Sequence, residues 1–256
     1  MLFIIISPLL AYAATLYDSY DRTRDTRAPP FHDIAGNRKD WGLDMRFGGS
    51  LAAGNADLQS ATLEGDFFQR FGTRKFYILN DMSFIEFQHV RIKYLGTLIM
   101  RVDEQLDSEK NRIFILSTTA FNQYTKLALR QFIGCGFLHT FNIENFKGGL
   151  SITPGFEFEH DNIGIYQRTL RTALRSMGAY SWKNYTTSYD MVFLPALNEL
   201  AKYRFFVSLG LETLLSEKTL GLKILGTYDF NSMPMVPGIK NVDVSISTNI
   251  VFHFGH

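Results

Sequence analysis

The residues whose types and spacing could do chemistry are mostly charged side chains recurring at every second position of short runs. Thirteen stand out: Asp44, Arg46, Glu64, Asp66, Arg70, Arg101, Arg130, Glu157, Glu159, Arg171, Arg175, Arg204 and Glu212. Acids and bases are nearly matched, so the set can form cross-strand ion pairs or line a polar passage whose selectivity it tunes. Glu157 and Glu159 share a face and could act as a carboxylate pair. A network with Arg130, Arg171 and Arg175 on neighbouring strands explains them more simply. The six histidines (His32, His89, His139, His160, His253 and His256) form no two-His helical pair and no Cys/His cluster with metal-ligand spacing. Only His139 suggests hydrolysis, which would need a nearby serine and an orienting partner. The chain has no Gly-x-Ser-x-Gly, and His139 reads better as an interfacial residue near a strand end. Gly134-x-Gly136 and Gly148-Gly149 read as strand and turn glycines, not as a phosphate loop. No catalytic, metal or cofactor site is expected.

The elements that must position this set have a period of two. Trp41, Leu43, Met45, Phe47, Leu51 and Ala53 alternate with Gly42, Asp44, Arg46, Ser50 and Ala52. Gly54-Asn55-Ala56-Asp57 supplies a turn, and Ala61, Leu63 and Phe67 then oppose Ser60, Thr62, Glu64, Asp66 and Arg70. Similar runs continue to the last one, where Val242, Val244, Ile246, Ile250, Phe252 and Phe254 oppose Asp243, Ser245, Ser247 and Asn249. Breakers fall at Gly72-Thr73-Arg74, residues 107–111, Asn145 to Gly149, Asp161-Asn162 and Asn231 to Asn241. About twelve runs result, each near the ~9–11 residues of a tilted membrane strand. Arg168 to Met177 is read as a strand with Arg171 and Arg175 inward. Pro195 to Lys202 is read as a loop with one helical turn.

Composition narrows the class. The 256 residues carry 26 Lys+Arg against 25 Asp+Glu, a net charge of +1, which argues against nucleic acid as a partner. Aromatic residues reach 14 %, and one cysteine excludes a disulfide framework. Residues 1–13, apolar with Ala11-Tyr12-Ala13 at their end, match a secretory signal without a basic start. Residues 14–39, with Arg22, Arg24, Arg27, Pro29 and Pro30, read as a mobile arm, and 40–256 as one barrel.

Alternation alone does not say which parity faces inward. A soluble calyx hides its apolar set, whereas a membrane barrel shows it to lipid and keeps a polar lumen. Export, strand number and length, and the confinement of charge to one parity favour the membrane. The expectation is an all-β, closed, up-and-down antiparallel transmembrane β-barrel of about 12 strands, apolar side chains outward and ionic ones inward. Trp41, Tyr94, Tyr185, Tyr203 and Phe254 would sit at the headgroup levels.

The tail carries Tyr228-Asp229-Phe230-Asn231-Ser232-Met233-Pro234, then Pro237-Gly238-Ile239-Lys240-Asn241-Val242-Asp243, then Val251-Phe252-His253-Phe254. With the Gly54-Asn55 turn, Arg130 leading to Gly134-Cys135-Gly136, and Tyr203-Arg204 after Pro195, it resembles the domain of unknown function 481 family of salt-induced outer-membrane proteins. The resemblance spans about Asp40 to Phe254 and implies an outer-membrane β-barrel of unestablished biochemical role. It departs from the family's pattern at Asn198 to Lys202, so no role is carried to that loop, and at Gly255-His256, which follow the terminal aromatic. The expected function is a non-enzymatic barrel with a structural or envelope-stress role, or a weak small-solute channel. A soluble periplasmic calyx and an outer-membrane lipid hydrolase are the alternatives. Expected partners are outer-membrane lipid, the barrel-insertion machinery during assembly, and a small solute; oligomeric state is left open.

Overall fold

The computed structural model describes residues 41–53, 58–86, 93–106, 110–122, 127–161, 164–215, 220–233 and 241–255. The expected signal 1–13, the arm 14–39, the Gly54-Asn55-Ala56-Asp57 turn, His32, His89 and His256 lie outside the described residues. So does the side chain of Tyr94.

Twelve strands form one closed barrel. They are β1 (Trp41–Ala53), β2 (Leu58–Phe71), β3 (Arg74–Glu86), β4 (Lys93–Gln105), β5 (Asn111–Asn122) and β6 (Leu127–Ile143), followed by β7 (Phe146–Asp161), β8 (Tyr166–Trp182), β9 (Tyr185–Ala196), β10 (Glu199–Leu214), β11 (Leu220–Asn231) and β12 (Val242–Gly255). Each pairs antiparallel with the next. The seam closes between β1 and β12, in register from Gly42↔Gly255 to Ala53↔Val244. Closure pairs the edges that an open sheet would leave bare. The shortest strands have 12 residues. At roughly 3.3 Å per residue and a 45° tilt, that length spans about 28 Å, close to the hydrocarbon thickness of a bilayer.

The period of two appears directly in burial. Along β7, Thr153, Gly155, Glu157 and Glu159 are buried, while Ile152, Pro154 and Phe156 are exposed. On the outer surface, Ile115, Leu209 and Ile246 are 60 % or more exposed. The apolar parity therefore faces outward, the reverse of a calyx.

The barrel has two different rims. At the turn rim, β2–β3 connects through Gly72–Thr73, β6–β7 through Glu144–Asn145, and β8–β9 through Lys183–Asn184. These tight turns use positive φ at Gly72 (62°), Glu144 (50°) and Lys183 (52°), as short hairpins require. At the opposite loop rim, the connections include residues 87–92 and 232–241. Aromatics mark both rims. Trp41, Trp182, Tyr185 and Phe254 are exposed near the turn rim. Phe158–Tyr166, Phe193–Tyr203 and Tyr203–Phe230 ring pairs lie 5.6–6.5 Å apart toward the loop rim.

Three expectations need correction. Pro195 to Lys202 is no helical loop: β9 continues to Ala196, Leu197–Asn198 makes the turn, and β10 starts at Glu199. A proline without an N–H disguises the strand. Pairing between β8 and β9 is interrupted around it, from Leu174↔Phe193 to Arg171↔Ala196 in an unchanged register, and β9–β10 shifts between Glu199 and Tyr203. Second, the breaker at Asn145 to Gly149 is shorter than expected, because β7 already begins at Phe146. Third, the inward parity is not purely ionic. Leu79, Ile99, Phe114, Leu116, Phe132, Leu138 and Met177 form a buried apolar cluster on the β3–β6 and β8 wall.

Glycines make room for aromatic rings on both faces. Inside, a Cβ on Gly136 would lie 2.5 Å from Phe114 Cζ, and one on Gly155 would lie 2.6 Å from Phe132 Cζ. Outside, a Cβ on Gly178 would lie 2.5 Å from Tyr189 Cε1 and 2.8 Å from Phe146 Cζ. Gly178→Val should displace both rings and lower the unfolding free energy by about 1–3 kcal/mol. Urea titration of the barrel in lipid vesicles measures this, and an unchanged midpoint would mean the rings do not rest on the glycine.

Candidate functional site in the charged interior

Because strand side chains alternate, every charge on the inward parity meets charges from neighbouring strands. Toward the loop rim, five residues from β6, β7, β8 and β10 form one alternating chain. Arg130 Nε donates to Glu159 Oε1 at 2.7 Å, and Arg204 Nη2 donates to the same oxygen at 2.6 Å. Arg204 Nη1 donates to Glu157 Oε2 at 2.7 Å, and Arg171 Nε to Glu157 Oε1 at 2.6 Å. Between β8 and β10, β9 contributes a backbone acceptor: Arg171 Nη1 donates to Leu194 O at 3.1 Å. Arg171 and Glu157 are both 0 % exposed. In such a setting each guanidinium fork is held by charge-assisted bonds, and loss of one member strands a buried charge.

A second cluster lies across the seam. Arg46 Nη1 and Nη2 meet Glu64 Oε2 at 3.0 Å and Asp66 Oδ2 at 2.5 Å, joining β1 to β2. His253 on β12 places Nδ1 2.9 Å from Asp44 Oδ1 and Nε2 2.9 Å from Glu212 Oε1, tying β1, β12 and β10 together. Elsewhere Arg101 and Asp103 pair within β4 at 2.5 and 2.8 Å, with the Arg101 guanidinium 3.7 Å from the Phe114 ring centroid. Arg175 Nε donates to Asp190 Oδ1 at 2.7 Å.

Of the thirteen residues singled out in the sequence, Asp44, Arg46, Glu64, Asp66, Arg101, Arg130, Glu157, Glu159, Arg171, Arg175 and Arg204 are buried on the inward parity. Arg70 and Glu212 share that parity and are half-buried nearer the turn rim. The structure joins Glu157 and Glu159 to Arg130 and Arg171 as expected, adds Arg204, and gives Arg175 to Asp190 instead. Sequence reasoning missed buried Lys75, Asp81, Asp103, Arg112, Lys202 and Asp229 and half-buried Asp190. Asp103 and Asp190 sit on the same parity as Arg101 and the other polar positions of their runs, which was signal enough. Lys202 was hidden by the loop reading of its segment.

Little on the outer surface suggests chemistry. His139 is exposed there, its Nδ1 2.7 Å from Asn111 Oδ1. Among the described residues no group of three or more His, Cys, Asp or Glu is placed to hold a metal ion.

Comparison with known proteins agrees with this geometry. A NanC porin structure matches with a TM-score of 0.56 at 12 % identity, covering 82 % of this chain and 98 % of that one. A KdgM porin in complex with disordered oligogalacturonate has a TM-score of 0.48 at 12 % identity, covering 83 % and 99 %. No curated protein matches the chain by sequence. The family model described as "Protein of unknown function, DUF481" matches residues 45–254. This closed twelve-stranded barrel, with the fold of the NanC porin structure, is matched over residues 45–254 by that model, and the chain belongs to the DUF481 family.

Proposed function

We propose that the protein is an integral outer-membrane barrel, non-enzymatic, that passes small solutes through a narrow, charge-lined interior. The observation that carries this reading is the segregation of side chains. Buried charges from ten of the twelve strands, β1 to β8, β10 and β11, share the inward parity, while exposed apolar residues occupy the other. Hydrocarbon favours that outer face, and ion pairs on the inner one set which solutes pass. The segment 1–13 serves as the export signal, and lipid and the insertion machinery are the partners during assembly. A structural role is the second reading, favoured by the apolar cluster of Leu79, Phe114, Phe132 and Leu138 inside the wall.

Planar-bilayer recording of the purified barrel tests the passage. Small, discrete current steps are expected, well below those of a sixteen-stranded porin recorded in the same lipid. Insertion into the bilayer without any current steps would refute the passage and leave the structural role.

A further inference from the structure

The alternating chain near the loop rim begins and ends on a guanidinium: Arg130, Glu159, Arg204, Glu157, Arg171. Three cations thus face two carboxylates. Buried Lys202 adds a fourth cation, its carbonyl 3.5 Å from Arg171 Nη1 and its ammonium within electrostatic reach of both Glu157 and Glu159. Among the described residues the remaining buried acid on this side is Asp229, on β11 beside the strand of Arg204. Among the described residues, four buried cations there meet three buried acids, with half-buried Asp243 opposite Asp229 on β12. One donor at the end of the chain is left over. Arg171 Nη2 is fully buried and has no hydrogen-bond acceptor, although the other nitrogens of that guanidinium are engaged. The inward residue paired with Arg171 across the ladder is Ala196, whose methyl group supplies no acceptor.

We infer that Arg171 and Lys202 form a binding site for a small organic carboxylate. Glu157 bridges Arg171 and Arg204, and Glu159 bridges Arg204 and Arg130, so a third carboxylate at Arg171 Nη2 continues the same pattern. It supplies the missing acceptor at a guanidinium set among buried cations. The planar fork of a guanidinium matches a carboxylate in shape as well as charge. The inference deepens the passage reading and rests on it for its meaning, since a lumen site is where a passing solute would pause. Its test does not require conduction.

The test is titration calorimetry of the full chain, folded in detergent, with sodium acetate and sodium D-glucuronate at constant ionic strength, and with D-glucose as the neutral control. Saturable binding of both carboxylates and no binding of glucose is expected. Lys202→Gln, which leaves the five-membered ion-pair chain intact, should weaken Kd about tenfold, the value of one charge-assisted contact. Arg171→Gln should abolish binding. Absence of saturable heat in a correctly folded barrel, or equal Kd values for the parent and Lys202→Gln, would overturn the site. A barrel that conducts without binding contradicts the site alone. One that binds without conducting contradicts the passage alone.

Discussion

Replacing Glu157 with alanine is expected to lower the unfolding free energy of the barrel by about 3–5 kcal/mol. Glu157 accepts from Arg171 on one oxygen and from Arg204 on the other, and all three side chains are buried. Without it, Arg171 keeps only backbone acceptors and Arg204 keeps only Glu159 among the bonds described above. Two guanidiniums then remain in the interior with one of their counter-ions gone. Glu157→Gln should cost less, because the amide keeps one acceptor oxygen for one of the two donors. Urea titration in vesicles, read by the shift between folded and unfolded migration on a gel, measures both. A loss under about 1 kcal/mol for the alanine variant would mean the chain behaves as a solvated surface network.

Leu209→Arg should cost about 2–4 kcal/mol, the penalty for a cation on the lipid face near the bilayer midplane. Leu209 lies near the middle of β10, 62 % exposed on the outward parity. Its neighbour Ser208 points inward and is only half-buried, so Ser208→Arg should be tolerated far better. The two variants introduce the same side chain one position apart, so the face it enters sets most of the contrast. In a water-soluble barrel the order would reverse, since an arginine in place of an exposed leucine is harmless in water. The same urea titration decides between them.

How much of this was readable beforehand depends on where charge marks the parity. On β7 and β8, Glu157, Glu159, Arg171 and Arg175 recur at every second or fourth position, and the strands and their shared face followed from spacing, whereas Arg175 pairs with Asp190 and Arg204 joins the glutamates only once the barrel closes. On β3 the run Phe76-Tyr77-Ile78-Leu79 is apolar on both parities, and on β5 so is Ile113-Phe114-Ile115-Leu116. Hydrophobicity has no period there, because the inner wall at those strands is itself apolar. Only the flanking Lys75, Asp81 and Arg112 fix which side is inside. Pro195 was misread for another reason: its usual role as a breaker outweighed a strand that accommodates it by a register shift. His253 gives no signal among the six histidines of the sequence, because its partners Asp44 and Glu212 become neighbours only once the seam closes. Contacts that depend on closure leave no local trace in the chain.

The central claim is geometric, and spin-label accessibility along β10 tests it most directly. Single cysteines at positions 203 to 212, in a Cys135→Ser background because Cys135 is itself exposed, would be labelled in lipid vesicles. Their collision rates with oxygen, which partitions into hydrocarbon, would be compared with those for a water-soluble nickel chelate. The account predicts high oxygen accessibility at 205, 207, 209 and 211 and low values at 204, 206, 208 and 210, a strict period of two. Maxima at the even positions, or nickel accessibility dominating at 207 and 209, would contradict it.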